Sequence, residues 1–191
     1  MSIILASASP HRRMLLQRLG LDFAVSAPEV DETPRPQEGP AALVQRLARA
    51  KAGAAAALHP RALLIGADQA AALDGAIIGK PGDHVRASAQ LRAVAGQTLT
   101  FHTGLCVLDG RMGGSREHVD VTRVHFRALG EPEIERYLRT EQPYNCAGSF
   151  KSEGLGISLF ERIESQDPTA LVGLPLIMLC RFLREFGISL P

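Results

Sequence analysis

Short apolar runs that alternate with longer amphipathic stretches predict an α/β protein built on a mixed sheet. Three features carry that expectation. Ile3 to Ala6 and Ala62 to Ala67 are apolar runs of strand length that end in small residues, the pattern of buried strands. Pro40 to Leu58 is Ala-rich, with Leu43, Leu47, Ala50 and Ala54 spaced for burial on a helix. Asp74-Gly75 separates the apolar pieces 70–73 and 76–78, a strong signal for a two-residue hairpin.

The elements follow in order. After the strand at Ile3 to Ala6, Ser7 to Pro10 reads as a loop. A helix from Arg12 to Leu19 carries Met14, Leu15, Leu16 and Leu19 on one face, and Gly20 closes it. Phe23 to Ser26 is a second strand, and the Pro-rich, acidic PEVDETPRPQEGP is a loop before the helix at 40–58. The strand Ala62 to Ala67 is expected to end there, leaving Asp68 at its carboxyl end. Asp83 is placed to cap a helix through Val85, Leu91 and Val94, ending at Gly96. Gln97 to Leu108 and Glu117 to Arg127 read as two long strands joined around Gly110 to Gly114. A helix over 130–140 has Pro132 in its first turn. Cys146 to Gly156 is a glycine-rich loop, Ile157 to Ile163 a strand, and Pro175 to Phe186 a last helix.

The 191 residues suit one domain over 1–191, without a separable linker. At 46% hydrophobic and 21% charged, the chain has enough apolar material for a sizeable core. A net charge of +1 gives no large positive field, which argues against a nucleic-acid partner. Cys106, Cys146 and Cys180 are far apart and lack CxxC spacing, as expected of reduced thiols in a cytoplasmic protein. The opening MSIILASASPHRR lacks the order and length of a signal peptide, and Pro175 and Arg181 break the longest apolar stretch. No membrane partner is expected.

Only three of the 21 Lys and Arg residues are lysine: Lys51, Lys80 and Lys151. Where arginine serves wherever charge alone matters, a surviving lysine marks a place that wants a compact ammonium. Ordinary solvated lysines remain the alternative.

Four segments put charge where a core does not need it. Ser7, Ser9, His11, Arg12 and Arg13 lie in or next to a small-residue loop before a helix, where N–H groups, hydroxyls and the helix dipole can converge on an anion. The guanidinium of Arg12 suits phosphate oxygens. The same residues would also serve as an N-cap followed by a solvated arginine pair. Asp31-Glu32 could hold Mg²⁺ with phosphate oxygens and water, or simply solvate the loop. Asp68-Gln69 follow an apolar strand, and ligands of open α/β sheets gather at strand carboxyl ends; Asp68 could alternatively cap a turn. Lys80 sits in GKPGD, which is not a GxxxxGK[ST] loop. Together, cations for phosphates and carboxylates for metal and water describe a polyphosphate site with a divalent ion. The six histidines show no ligand spacing.

Taken in order, LASASPHRRMLL, VDE, ARAKA, GADQ, GKP and CAGSFKSEGLGISLFERIESQDPTALVGLPL resemble the Maf family of nucleotide pyrophosphatases over essentially the whole chain. Within it the chain looks like the YceF-like branch, which acts on 7-methyl-GTP. Asp68 is followed by Gln69, where the branch cleaving dTTP and UTP has threonine, and KSEGLG is short where that branch has a longer Tyr-containing stretch.

The resemblance implies a Maf/ITPase-like fold with two lobes around a central cleft. It implies hydrolysis of a nucleoside triphosphate between the α and β phosphates, a divalent cation (Mg²⁺ or Mn²⁺) and a homodimer. By position, Asp68 matches the family's proton acceptor, and Ser7, Arg12, Glu32, Lys51 and Lys80 its polar site positions. Glu32 and Asp68 are the expected metal ligands. His11, Gln69 and Glu153 match positions credited with choosing the base; His11 stands where this branch carries an aromatic residue, and an imidazole can still stack. A pyrophosphatase for another modified nucleotide and a non-catalytic nucleotide-binding regulator of cell division are the alternatives.

Overall fold

A computed structural model describes residues 1–190 of the chain. Strand β1 (Ile3–Leu5) leads into helix α1 (Pro10–Gln17), then β2 (Ala24–Val25), the long α2 (Pro40–Leu58), β3 (Leu63–Leu73) and β4 (Ala76–Ile78). Helix α3 (His84–Val94) precedes β5 (Thr98–Asp109) and β6 (Ser115–Phe126), followed by α4 (Glu131–Glu141), β7 (Phe160–Glu164) and α5 (Leu176–Glu185). The sheet order is β2-β1-β3-β5-β6-β7, with β4 paired to β3. It is mixed: β1 runs parallel to β2 and β3, whereas β4 and β7 are antiparallel to β3 and β6.

Three boundaries differ from the sequence reading for physical reasons. Helix α1 starts at Pro10, because proline suits the first helical position and Ser9 is its N-cap. Strand β3 does not stop at Ala67 but continues through Asp68 and Gln69 to Leu73, so Asp68 lies within the strand and not at its carboxyl end. The hairpin to β4 turns at Asp74 (φ 49°) and Gly75 (φ 82°), the two positive-φ residues that a two-residue turn with Leu73 opposite Ala76 requires. The stretch expected as a loop at 146–156 contains a 3-10 turn at Ala147–Ser149, and a second over Leu155–Leu159 takes the first residues of the strand expected from Ile157, so β7 begins at Phe160.

Cα packing divides the described residues into two compact units, the first holding 1–69, 103–120 and 167–190, the second 70–102 and 121–166. In the first unit β1, the first half of β3 and the second half of β5 are buried on both faces, so alternate residues join different cores. Ile3, Leu5, Leu63, Ile65, Leu105 and Val107 pack with Leu15 and Leu16 of α1 and with Leu179, Phe182 and Leu183 of α5. Each such leucine contributes about 2 kcal/mol on leaving water. Ile4, Ala6, Leu64 and Cys106 instead meet Ala48, Ala52 and Ala55 of α2. Small side chains let α2 lie very close: a Cβ on Gly66 would stand 2.1 Å from the Ala48 carbonyl oxygen, and one on Gly104 2.3 Å from that of Val44.

The second unit is centred on edge-to-face aromatic contacts among Phe101, Phe126, Phe150 and Phe160, with centroids 4.8–5.6 Å apart. Helices α3 and α4 pack on one another, burying Leu91, Val94, Ile134 and Leu138. Among the described residues no helix is long and apolar enough to cross a membrane.

Candidate active site

The first unit assembles most of the expected residues. Lys51 on α2 and Asp68 on β3 are placed by the close approach that Gly66 permits. The Lys51 ammonium lies 2.7 Å from Asp68 Oδ1 and 2.6 Å from Glu32 Oε1. Lys51 and Asp68 are only 12% and 13% exposed, whereas Glu32 is 60% exposed, so one arm of this triad faces solvent.

The phosphate-loop candidate is ordered from within. Ser9 Oγ accepts the Arg12 N–H at 3.4 Å as the N-cap, and Ser7 Oγ accepts the Ser9 N–H at 3.2 Å. Arg12 donates through Nη1 to Ser7 Oγ at 3.3 Å and through Nε to the Gly173 carbonyl at 2.9 Å. Burial pulls the Arg12 guanidinium below its ordinary range, and the nearby Asp68 and Glu32 carboxylates oppose that shift. The group stays charged, because arginine's ordinary value lies so far above neutral. Ser9 is thus both cap and loop. Arg13 is exposed and does not join this group, since successive helix residues point about 100° apart. It lines a recess of about 400 Å³ with Gln17, Asp22 and Phe23, none of which belongs to the triad. His11 is partly buried at the start of α1.

Sequence reasoning missed Arg46, which fixes the loop that carries Glu32. Its guanidinium donates to the carbonyls on either side of Glu32, Asp31 at 3.5 Å and Thr33 at 3.0 Å, and grips the Glu38 carboxylate at 2.6 and 2.7 Å. The Arg46 hydrogen bonds, with one from the Arg35 N–H, hold the Glu38 carboxyl at about 2 against an ordinary 4.5. A depressed carboxyl contributes stability that is full above its unfolded value and is lost as pH falls through the folded one. Exchange protection of the amides at 31–38 is therefore expected to hold at neutral pH and to fall away between about 4.5 and about 2. Protection unchanged down to the lower limit would rule the clamp out.

Gln69 is committed to the scaffold. Its Nε2 stands 3.1 Å from Thr103 Oγ1 and 3.0 Å from the carbonyls of both Ala170 and Leu171. Two carbonyl acceptors fix that atom as the amide nitrogen, so Gln69 has only its carbonyl oxygen left to offer a ligand. The segment it holds is itself rigid. Buried Asp167 accepts from the Thr169 N–H at 2.8 Å, from Thr169 Oγ1 at 2.6 Å and from the Ile177 N–H at 2.7 Å, capping α5 from a distance. Gly173 then adopts a left-handed φ of 116°, and a Cβ there would sit 3.3 Å from Arg12 Nε.

Lys80 and Glu153 belong to the second unit. Lys80 is exposed just after β4, in a stretch pinned by Gln90 Nε2 on the Gly79 carbonyl at 3.0 Å and by the Gly82 N–H on the Tyr144 carbonyl at 2.9 Å. Glu153 is exposed and accepts from Ser152 Oγ at 3.3 Å. Burial raises the Cys146 thiol; Glu153 and Glu141 reinforce the shift, while Lys151 and Lys80 oppose it.

The donor set also bears on a metal. No group of three or more His, Cys, Asp or Glu suited to an ion occurs among the described residues. Two carboxylates, Glu32 and Asp68, do meet at one ammonium, and one or two carboxylates completed by phosphate oxygens and water is what Mg²⁺ accepts.

The sequence profile of the family described as Maf-like protein matches residues 2–186. A protein from Nitrosococcus oceani named 7-methyl-GTP pyrophosphatase is 53% identical over 186 residues, covering 97% of this chain and 94% of its own length. Proteins of the same name from Ralstonia nicotianae and Burkholderia pseudomallei are each 56% identical, covering 96% and 98% of this chain and 94% and 89% of their own.

Proposed function

Since the chain belongs to the Maf-like protein family, we propose that it is a nucleotide pyrophosphatase that hydrolyses 7-methyl-GTP to 7-methyl-GMP and pyrophosphate. What carries this is the 53–56% identity, over nearly the whole chain, to relatives that bear that name. The meeting of Glu32, Lys51 and Asp68 beside Arg12 supplies a chemistry that fits it.

In the proposed reaction a water oxygen attacks the α-phosphorus. The bond from that phosphorus to the α–β bridging oxygen breaks, and its electron pair leaves on pyrophosphate. Asp68 orients the water and takes its proton; Lys51, already against Asp68, neutralises charge that grows on the phosphates. Arg12 offers the guanidinium N–H donors not used by Ser7 and Gly173. Lys80 is assigned to phosphate as well. The charges of Glu32, Asp68, Lys51 and Arg12 cancel, so a bound triphosphate needs further cations. Glu32 and Asp68 would hold a divalent ion, which when bound would neutralise phosphate oxygens and make a water more acidic. His11 is assigned to stacking on the base. A homodimer and a cytoplasmic location complete the proposal.

Base choice follows from charge. N7-methylation leaves guanine positive with a more acidic N1–H, and the Glu153 carboxylate can accept from N1–H and N2–H. The Gln69 carbonyl oxygen is likewise an acceptor. Pyrophosphate release measured on 7-methyl-GTP, GTP, dTTP and UTP with Mg²⁺ or Mn²⁺ is expected to favour 7-methyl-GTP, and Glu153→Gln to reduce kcat/KM on it about tenfold more than on GTP. No release from any of the four would favour a non-catalytic nucleotide binder. Preference for dTTP or UTP would overturn the base assignment.

A further inference from the structure

The loop that carries Glu153 is held at both ends by one carboxylate and one lysine. Helix α4 ends at Glu141, with Gln142 in a left-handed conformation (φ 46°). Lys151 Nζ donates to the Glu141 carbonyl at 2.8 Å and to its Oε1 at 3.2 Å, so it closes the helix terminus and pairs the side chain together. The second carboxylate oxygen of Glu141 accepts the Leu155 N–H at 2.8 Å. The fit is close: a Cβ on Gly154 would lie 2.7 Å from that oxygen. On the other side the Lys151 N–H donates to the Tyr137 hydroxyl at 3.1 Å. Lys151 and Glu141 are 29% and 16% exposed, whereas Glu153 between the anchors faces solvent.

We propose that Glu141 and Lys151 are positioning residues for base recognition, holding the backbone at 151–155 so that the Glu153 carboxylate is presented in one place. The inference rests on the reading of Glu153 given above. A loop already ordered does not have to be ordered when the nucleotide binds, so the advantage is collected in binding and discrimination. Lys151 is then a scaffold lysine, unlike Lys51: its ammonium is spent on Glu141 rather than on phosphate.

The test compares kcat and KM on 7-methyl-GTP and GTP for the wild type, Glu141→Ala, Glu141→Gln, Lys151→Met, Glu153→Gln and the double variant Glu141→Ala/Glu153→Gln. Glu141→Ala is expected to raise KM for 7-methyl-GTP and to lower the 7-methyl-GTP to GTP selectivity by about tenfold, close to the effect of Glu153→Gln. Glu141→Gln keeps an acceptor for the Leu155 N–H and should retain part of the selectivity. In the double variant the second change should add almost nothing. Wild-type selectivity in Glu141→Ala, or additive losses in the double variant, would overturn the proposal. Should Glu141→Ala fail to fold, Lys151→Met and Glu141→Gln must still show the selectivity loss, and wild-type selectivity in both would refute it. A Glu153→Gln variant that discriminates normally would overturn it too, because the loop would then have nothing to present. A wild type inactive on 7-methyl-GTP would instead defeat the assigned activity, a separate result.

Discussion

Asp68→Asn should lower kcat for pyrophosphate release from 7-methyl-GTP by about 10²- to 10⁴-fold, the usual contribution of a positioned general base. Asparagine has nearly the same shape and keeps an oxygen for Lys51 Nζ, now 2.7 Å from Asp68 Oδ1. The ammonium also retains Glu32 at 2.6 Å, so the substitution leaves no buried charge alone. The melting temperature should therefore move little while turnover collapses, and KM should change less than kcat. A variant with near-normal kcat would remove Asp68 from the reaction. Loss of activity together with loss of cooperative unfolding would say only that the pair is structural.

The largest effect on stability is expected at Gly66. An alanine methyl there meets the Ala48 carbonyl oxygen at 2.1 Å and the Ala52 nitrogen at 2.8 Å, both backbone atoms of α2 that no rotamer change can clear. Overpacking of this kind costs about 3 kcal/mol, or roughly 10 °C in melting temperature for a chain of this length. Helix α2 must move away from β3, and Lys51 moves away from Asp68 with it, so activity falls as well. Gly53 on the same helix is the control: a Cβ there meets nothing within 4 Å, and Gly53→Ala should stabilise the protein by about 0.5–1 kcal/mol through helix propensity. Equal melting temperatures for the two variants would refute the close-approach account.

Local chemistry was legible where it alone decides the structure. Helix α2 begins and ends where its proline and apolar spacing place it, and the Asp74-Gly75 turn forms because those residues tolerate positive φ. The end of β3 is not legible locally, because Asp68 and Gln69 interrupt an apolar run. Their polar groups are satisfied by Lys51, Thr103 and the carbonyls at 170–171, partners up to 102 residues away that no local pattern contains. The site divides in the same way. Glu32, Lys51 and Asp68, which meet in the fold, stand out by residue type and resemblance, whereas Arg46 reads locally as one more surface arginine on a helix. Gly66 did leave a signal, since an isolated glycine inside a strand marks close backbone approach.

The bond from Arg12 Nε to the Gly173 carbonyl joins residues 161 positions apart. A ribosome adding about 5–20 residues per second makes the first of them roughly ten to thirty seconds before the second. Through that interval the nascent chain carries the loop at 7–12 without the acceptor that orients its arginine, and Gln69 likewise waits for residues 170 and 171. The orientation of Arg12 is thereby deferred until residue 173 has been made and has packed against the first helix.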